Sequence, residues 1–204
     1  MRADVSTAAP KNTSAVMRTY LINLDRAPDR LAYMDDQLRA LGMDYERVSA
    51  VDGKTLPERI PEFDPVGYRR LHGRRRHPGE IGCYMSHLDC LRRFLKTDAA
   101  FALILEDDGK LSADLPDVLT AAIDTAEDWD ILRLSTMSSG TLVPFRHLTG
   151  PYQLAISFTR QKGSAAYMIN RRCAEIFLRH LVPMRLAWDI AYDLEYLWGQ
   201  RATF

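Results

Sequence analysis

Five apolar residues, Phe101-Ala102-Leu103-Ile104-Leu105, run without a polar interruption into Glu106-Asp107-Asp108-Gly109. A run this short with no alternation reads as a strand buried on both faces, the state of a central strand in a parallel sheet covered by helices. That reading commits the chain to a layered α/β architecture. It also makes the end of the strand a candidate site, because ligands in open α/β sheets collect beyond the carboxyl ends of the strands. Three adjacent carboxylates repel one another unless a cation shares them. Hard oxygen ligands suit Mn²⁺ or Mg²⁺ held jointly with substrate phosphates. The competing reading is a solvated turn, since acidic residues with glycine are common turn formers.

The rest of the chain alternates strands and helices in a way that supports this frame. Tyr20-Leu21-Ile22-Asn23-Leu24 reads as a first strand and Pro28 as the first turn of a helix carrying Leu31, Met34, Leu38 and Leu41, with Gly42 as its left-handed cap. A short strand near Tyr45 to Val51 follows, so the chain begins β-α-β, which favours a parallel pairing with a right-handed crossover. Residues 54–78 show no periodicity and are expected to form a long loop, rich in proline and holding Arg69, Arg70, Arg74, Arg75 and Arg76. Gly79-Glu80 opens a helix with a broad apolar face from Ile81 to Leu95. Beyond Gly109 the pattern predicts a helix over 115–126, a strand over 129–134, a loop with a hairpin over 135–151, and short strands over 154–158 and 165–169. Asn170 then caps a helix running to His180, and Pro183 precedes a last helix over 188–198.

The candidate residues fall at the ends of the predicted strands. Asn23, Asp25, Arg26 and Arg30 follow the first strand, where a planar guanidinium can fork onto phosphate or simply pair at a helix start. Asp52-Gly53 could contact a ribose, although a turn is the simpler reading of the spacing. Ser86 and His87 are neighbours on a helix and point to different faces, so they form no nucleophile-base pair; His87 is expected to be buried and fixed by hydrogen bonds. The arginine-rich loop is either a gate over an anionic substrate or a solvated segment. Trp188 to Asp193 places two carboxylates four residues apart beside aromatic rings, suited to sugar recognition and general-base work or to a packed helix with a polar side.

Composition narrows the classes. Lys and Arg number 27 and Asp and Glu also 27 in 204 residues, so no global charge draws the chain to nucleic acid, and no nucleic-acid motif is present. Apolar runs are interrupted well before the ~20 residues of a membrane span, which predicts a soluble protein. Residues 1–16 read as a disordered tail and 17–204 as a single domain. Cys83, Cys90 and Cys173 form no pairing framework or metal pattern and are expected to be buried thiols of a reducing cytoplasm.

Taken in order, several blocks resemble glycosyltransferase family 25, the lipopolysaccharide-type galactosyltransferases and their collagen-modifying relatives. They are Tyr20-Leu21-Ile22-Asn23-Leu24-Asp25-Arg26 with Asp29-Arg30-Leu31, then Ala50-Val51-Asp52-Gly53, and Gly79 through His87. Leu103 through Asp108, Gly163-Ser164-Ala165-Ala166-Tyr167 and Trp188-Asp189 complete the set. The resemblance implies a GT-A-type, Rossmann-like, mostly parallel sheet flanked by helices. It also implies a metal-dependent inverting transfer, of galactose by this analogy, from a UDP-sugar to a lipooligosaccharide or related glycan. On that analogy Glu106 and Asp108 hold Mn²⁺ (or Mg²⁺), with Asp107 pointing elsewhere to serve the donor or the fold. Asn23, Leu24, Arg26, Arg30, Asp52 and Gly53 complete the donor-binding set. Asp189 is the expected base, with Glu80 and Asp193 behind it. The implied location is the cytoplasm, with peripheral association at the inner face of the inner membrane. Gly109 departs from the small apolar residue usual after the acidic run. One more strand and a proline-containing segment are expected beyond Phe204, and without them activity would be weak or lost. The alternatives are a non-catalytic nucleotide-sugar or glycan-binding module of the same fold, and a metal-dependent phosphohydrolase.

Overall fold

The computed structural model describes residues 16–137 and 140–204. The N-terminal tail expected over 1–16 thus lies, except for Val16, outside the described residues. Strands β1 (Met17–Asn23), β2 (Glu46–Ser49), β3 (Phe101–Glu106), β4 (Ile131–Arg133), β7 (Ala166–Asn170) and β8 (Ala202–Thr203) form one sheet in the order β2-β1-β3-β7-β4-β8. β1 pairs in parallel with β2 and β3, and β4 in parallel with β8; only β7, antiparallel to both neighbours, runs the other way. This is the expected α/β class with a Rossmann-like, mostly parallel sheet.

Helices cover both faces: α1 (Pro28–Ala40), α2 (Pro65–His72), α3 (Pro78–Phe94), α4 (Leu115–Asp124), α5 (Arg171–His180) and the single turn α6 (Trp188–Ala191). Alternation along β3 sorts the core into two. Ala102 and Ile104 pack towards α3, α5 and α6, with Tyr20, Leu88, Phe177 and Trp188. Leu103 and Leu105 pack towards α1 and α4, with Leu21, Met34, Leu119 and Trp129. The strand is buried on both sides because successive side chains alternate and each face has its own helix layer.

Three segments differ from their predicted form. The expected loop over 54–78 contains α2, whose N-cap Asp64 accepts from Val66 and Gly67 backbone N–H groups and whose C-cap Gly73 has φ 73°. Strands β5 (Leu142–Thr149) and β6 (Tyr152–Ser157) form a separate two-stranded hairpin. The last helix is only α6 followed by a 3₁₀ segment, Tyr192–Trp198. Asp193 and Glu195 turn inward to the buried Arg133, which a solvated amphipathic helix would not do. Asn170 caps α5 as predicted, accepting from the Cys173 N–H at 2.8 Å. Cys83, Cys90 and Cys173 are free thiols, the last two buried. Among the described residues no helix is long and apolar enough to cross a membrane.

Candidate active site

The parallel register sets the ends of β1, β2 and β3 flush: Asn23 lies beside Ser49, and Ile22 beside Glu106. Past these ends the pleat divides the acidic run. Asp107 joins the α1 side, where its carboxylate accepts from Asn23 Nδ2 at 2.7 Å and from Arg30 Nη1 at 3.0 Å. Asn23 is itself buried, donating also to the Ala27 carbonyl and accepting from Arg47 Nε at 3.1 Å. The Leu24 carbonyl accepts from the Ala27 N–H and closes the turn that launches α1. Arg47 and Ser49 both donate to Asp25, which holds that carboxyl below its ordinary range although it is exposed.

Glu106 turns to the opposite face and meets α3. Its Oε1 lies 3.2 Å from His87 Nε2 and accepts from Ser164 Oγ at 2.6 Å. Burial alone would raise this carboxyl, but the His87 hydrogen bond and charge and the Ser164 hydrogen bond outweigh it and hold it low. His87 is fully buried; its Nδ1 lies 3.1 Å from the Tyr167 hydroxyl, and Trp188 stacks on its ring at 5.0 Å and 4°. Asp108, with a side chain 55% exposed, follows at the mouth, 3.9 Å from Arg30.

Asp52 sits after β2, paired with Arg26 and accepting from the Lys54 N–H at 3.0 Å. Its loop presses against the start of α3. A Cβ at Gly53 would overlap the Pro78 carbonyl, and one at Gly82 would overlap the Val51 carbonyl. The Val51 N–H donates to Ser86 Oγ, which donates in turn to the Gly82 carbonyl. Ser86 is therefore a clamp between two elements.

The three carboxylates considered as bases have different surroundings. Glu80 receives Tyr68 and Arg74, with His72 Nε2 at 3.2 Å; against burial, these hold its carboxyl low. Asp193 pairs with Arg133 at 2.9 Å and Arg160 at 3.5 Å, although burial still pushes it up. Among the described residues Asp189 accepts a single long hydrogen bond, from the Gly163 N–H at 3.3 Å. Acceptor capacity is thus most available at Asp189.

Cys83, His87 and Glu106 bring one ligand atom each within 4.8 Å of one another. That set does not suit a thiolate-bound metal. Burial and the carboxylates of Glu106, Asp189, Glu80 and Asp108 push the Cys83 thiol well up, and both His87 nitrogens are engaged. Both hydrogen bonds to Glu106 fall on Oε1, so Oε2 and the exposed Asp108 offer hard oxygen donors of the kind a divalent cation shares with a diphosphate.

Sequence reasoning brought Asn23, Asp52 and the acidic run to one edge, but gave Ser164 and Tyr167 no role, Trp188 only sugar recognition or helix packing, and His87 no named partner. Ser164, Tyr167 and Trp188 lie far from α3 in the chain, so only their presence within the ordered motif blocks hinted at the cluster.

The chain matches the model described as Glycosyltransferase family 25 (LPS biosynthesis protein) over residues 17–193, and it belongs to that family. It is 35% identical over 106 residues to a Glycosyltransferase 25 family member of Anopheles gambiae, covering 48% of this chain and 18% of that protein. It is 29% identical over 194 residues to Procollagen galactosyltransferase 1-A of Xenopus laevis, covering 85% of this chain and 31% of that protein. A rat protein named Probable inactive glycosyltransferase 25 family member 3 is 30% identical over 128 residues, or 56% of this chain and 22% of its own length. The chain thus spans about a third or less of these relatives.

Proposed function

We propose that this chain is a metal-dependent inverting glycosyltransferase that moves a hexosyl group, galactosyl by analogy with the Xenopus relative, from a UDP-sugar to a lipooligosaccharide or related glycan. The observation that carries the reading is the convergence, at three flush strand ends of a family-25 chain, of Asn23, Arg26, Arg30 and Asp52 with Glu106 and Asp108. Location in the cytoplasm, at the inner face of the inner membrane, belongs to the same proposal.

On this reading Asp52 and the Leu24 turn face the nucleoside, and the guanidinium groups of Arg26 and Arg30 supply paired donors for phosphate oxygens. Asp107 serves the donor indirectly, by fixing Asn23 and Arg30. Glu106 and Asp108 would hold Mn²⁺ or Mg²⁺, which supplies charge neutralisation on the leaving diphosphate. Asp189 takes the proton of the acceptor hydroxyl as its oxygen bonds to the anomeric carbon. The bond from that carbon to the diphosphate oxygen breaks on the opposite face, inverting the centre. His87 and Ser164 keep Glu106 ionised and fix its orientation, and so would present a preset carboxylate to a cation.

Calorimetry with UDP and Mn²⁺, followed by a UDP-release assay with UDP-galactose and glycan acceptors, tests the reading. Metal-dependent UDP binding that disappears in Asp108→Asn is expected. Binding that ignores both the metal and that substitution would refute the role given to Asp108. The name of the rat relative motivates a second reading, a non-catalytic nucleotide-sugar-binding module. It predicts donor binding with no acceptor-dependent UDP release.

A further inference from the structure

The chain has no net charge, yet residues 59–77 hold six arginines against two carboxylates, Glu62 and Asp64. Among the described residues the nearby acidic groups other than the exposed Glu58 are already engaged. Asp64 caps α2 and accepts from Arg185 Nε at 3.0 Å, Glu62 lies 3.8 Å from Arg92, and Glu80 takes Arg74 at 2.8 Å. Among the described residues Arg69, Arg70 and Arg75 are exposed and form no ion pair. Beside them Val66 and Leu71, 59% and 64% exposed, present aliphatic side chains to solvent. The platform is firmly seated: Tyr68 is fully buried, packs edge-on against Phe63 and donates to Glu80. An anchored helix showing unpaired guanidinium groups and two aliphatic side chains is built for a surface that is both anionic and apolar.

We propose that α2 and the Arg74–Arg76 segment dock the protein on an anionic lipid bilayer, with Arg69, Arg70 and Arg75 at the headgroups and Val66 and Leu71 in the interface. Polybasic segments are drawn to anionic leaflets within a Debye length, and interfacial aliphatic side chains add burial to that attraction. A nucleic acid fits less well, because the aromatic rings of the segment, Phe63 and Tyr68, are buried and unable to stack on bases. The Tyr68–Glu80 contact joins this platform to the first turn of α3, the helix carrying Cys83 and His87. A docked protein would therefore hold its candidate site near the bilayer. The inference does not rest on the transferase reading, and its test uses no sugar donor.

Sedimentation of the full chain with vesicles of mixed phosphatidylglycerol and phosphatidylcholine, at low and high salt, is the experiment. Binding to the mixed vesicles that falls steeply with salt is expected, with little binding to phosphatidylcholine alone. Each of Arg69→Gln, Arg70→Gln and Arg75→Gln should weaken binding about fivefold. Leu71→Ser should cost roughly another fivefold, whereas Arg39→Gln, on α1, should change nothing. Unchanged circular dichroism and melting temperature in the triple variant that combines the three Arg→Gln substitutions would show that the fold is intact. Equal binding to both vesicle types, undiminished binding by the triple variant, or retention of RNA in preference to vesicles would overturn the proposal.

Discussion

Glu106 and Asp107 are chemically near-identical neighbours, yet the sheet gives them opposite settings. Glu106 meets the buried His87, itself held by Tyr167 and Trp188, and has one oxygen occupied by two partners. Asp107 faces α1, where both its oxygens are consumed by Asn23 and the largely exposed Arg30. The difference shows how one strand end can separate two tasks. Period-two alternation sends one carboxylate to an environment that fixes an ionised acceptor, and the next to an environment that ties loops together.

Substitutions should separate these tasks. The largest effect is expected for Glu106→Gln, which keeps shape and hydrogen-bonding capacity but removes the charge. Turnover should fall about a hundredfold or more, a loss typical of removing one preset electrostatic contact, with a smaller loss of stability from the missing charge opposite His87. Equal turnover in wild type and Glu106→Gln would erase the distinction between the two carboxylates. Asp107→Ala should show the reverse balance. Leaving buried Asn23 without its partner costs about 1–3 kcal/mol, which thermal unfolding would register as a drop of several degrees.

The pH dependence sharpens the comparison further. Glu106 lies below its ordinary value of 4.5 when folded, so its contribution to stability is complete above that value and is lost as pH falls through the folded value. In His87→Phe that partner is gone and only the Ser164 hydrogen bond, the smallest of the lowering causes, opposes burial, the largest cause, so the carboxyl rises above its unfolded value. Its contribution is then favourable in acid and lost as pH rises. Denaturant titrations of wild type and His87→Phe, each with and without Glu106→Gln, read this reversal directly. The same sign in both backgrounds would show that His87 does not set the ionisation of Glu106.

Elements whose apolar pattern matched their packing were legible in the sequence. The Phe101 run announced a doubly buried strand because no polar residue interrupts it, and α1 and α3 followed from the spacing of their core residues. α2 was lost because eight residues bury only Tyr68, too little to make a period. Its punctuation was nevertheless present, as Asp64-Pro65 at the start and Gly73 at the end. β5 was unreadable for a related reason: none of its residues is buried, so no face is marked. The expected helix over 188–198 failed through a partner beyond local reach. Arg133, buried in β4, draws Asp193 and Glu195 inward, and burial pushes the Glu195 carboxyl up to about 7. At the candidate site the carboxylates were visible in the sequence, since their positions follow from strand ends. The hold on Glu106 joins residues 87, 106 and 164, which only the tertiary fold brings together.

The contact of Gly53 with Pro78 and of Gly82 with Val51 affects how a mutational screen would be read. Neither glycine has a functional group, and neither has a positive φ that would explain an intolerance of side chains. A single added methyl at either position would wedge the Asp52 loop off α3, shifting Asp52 relative to the helix that carries His87. Such variants would look like chemical knockouts while every reactive group remained in the chain. Intolerance at these two positions would report spacing between two ends of the site, so the screen would have to score donor affinity separately from turnover.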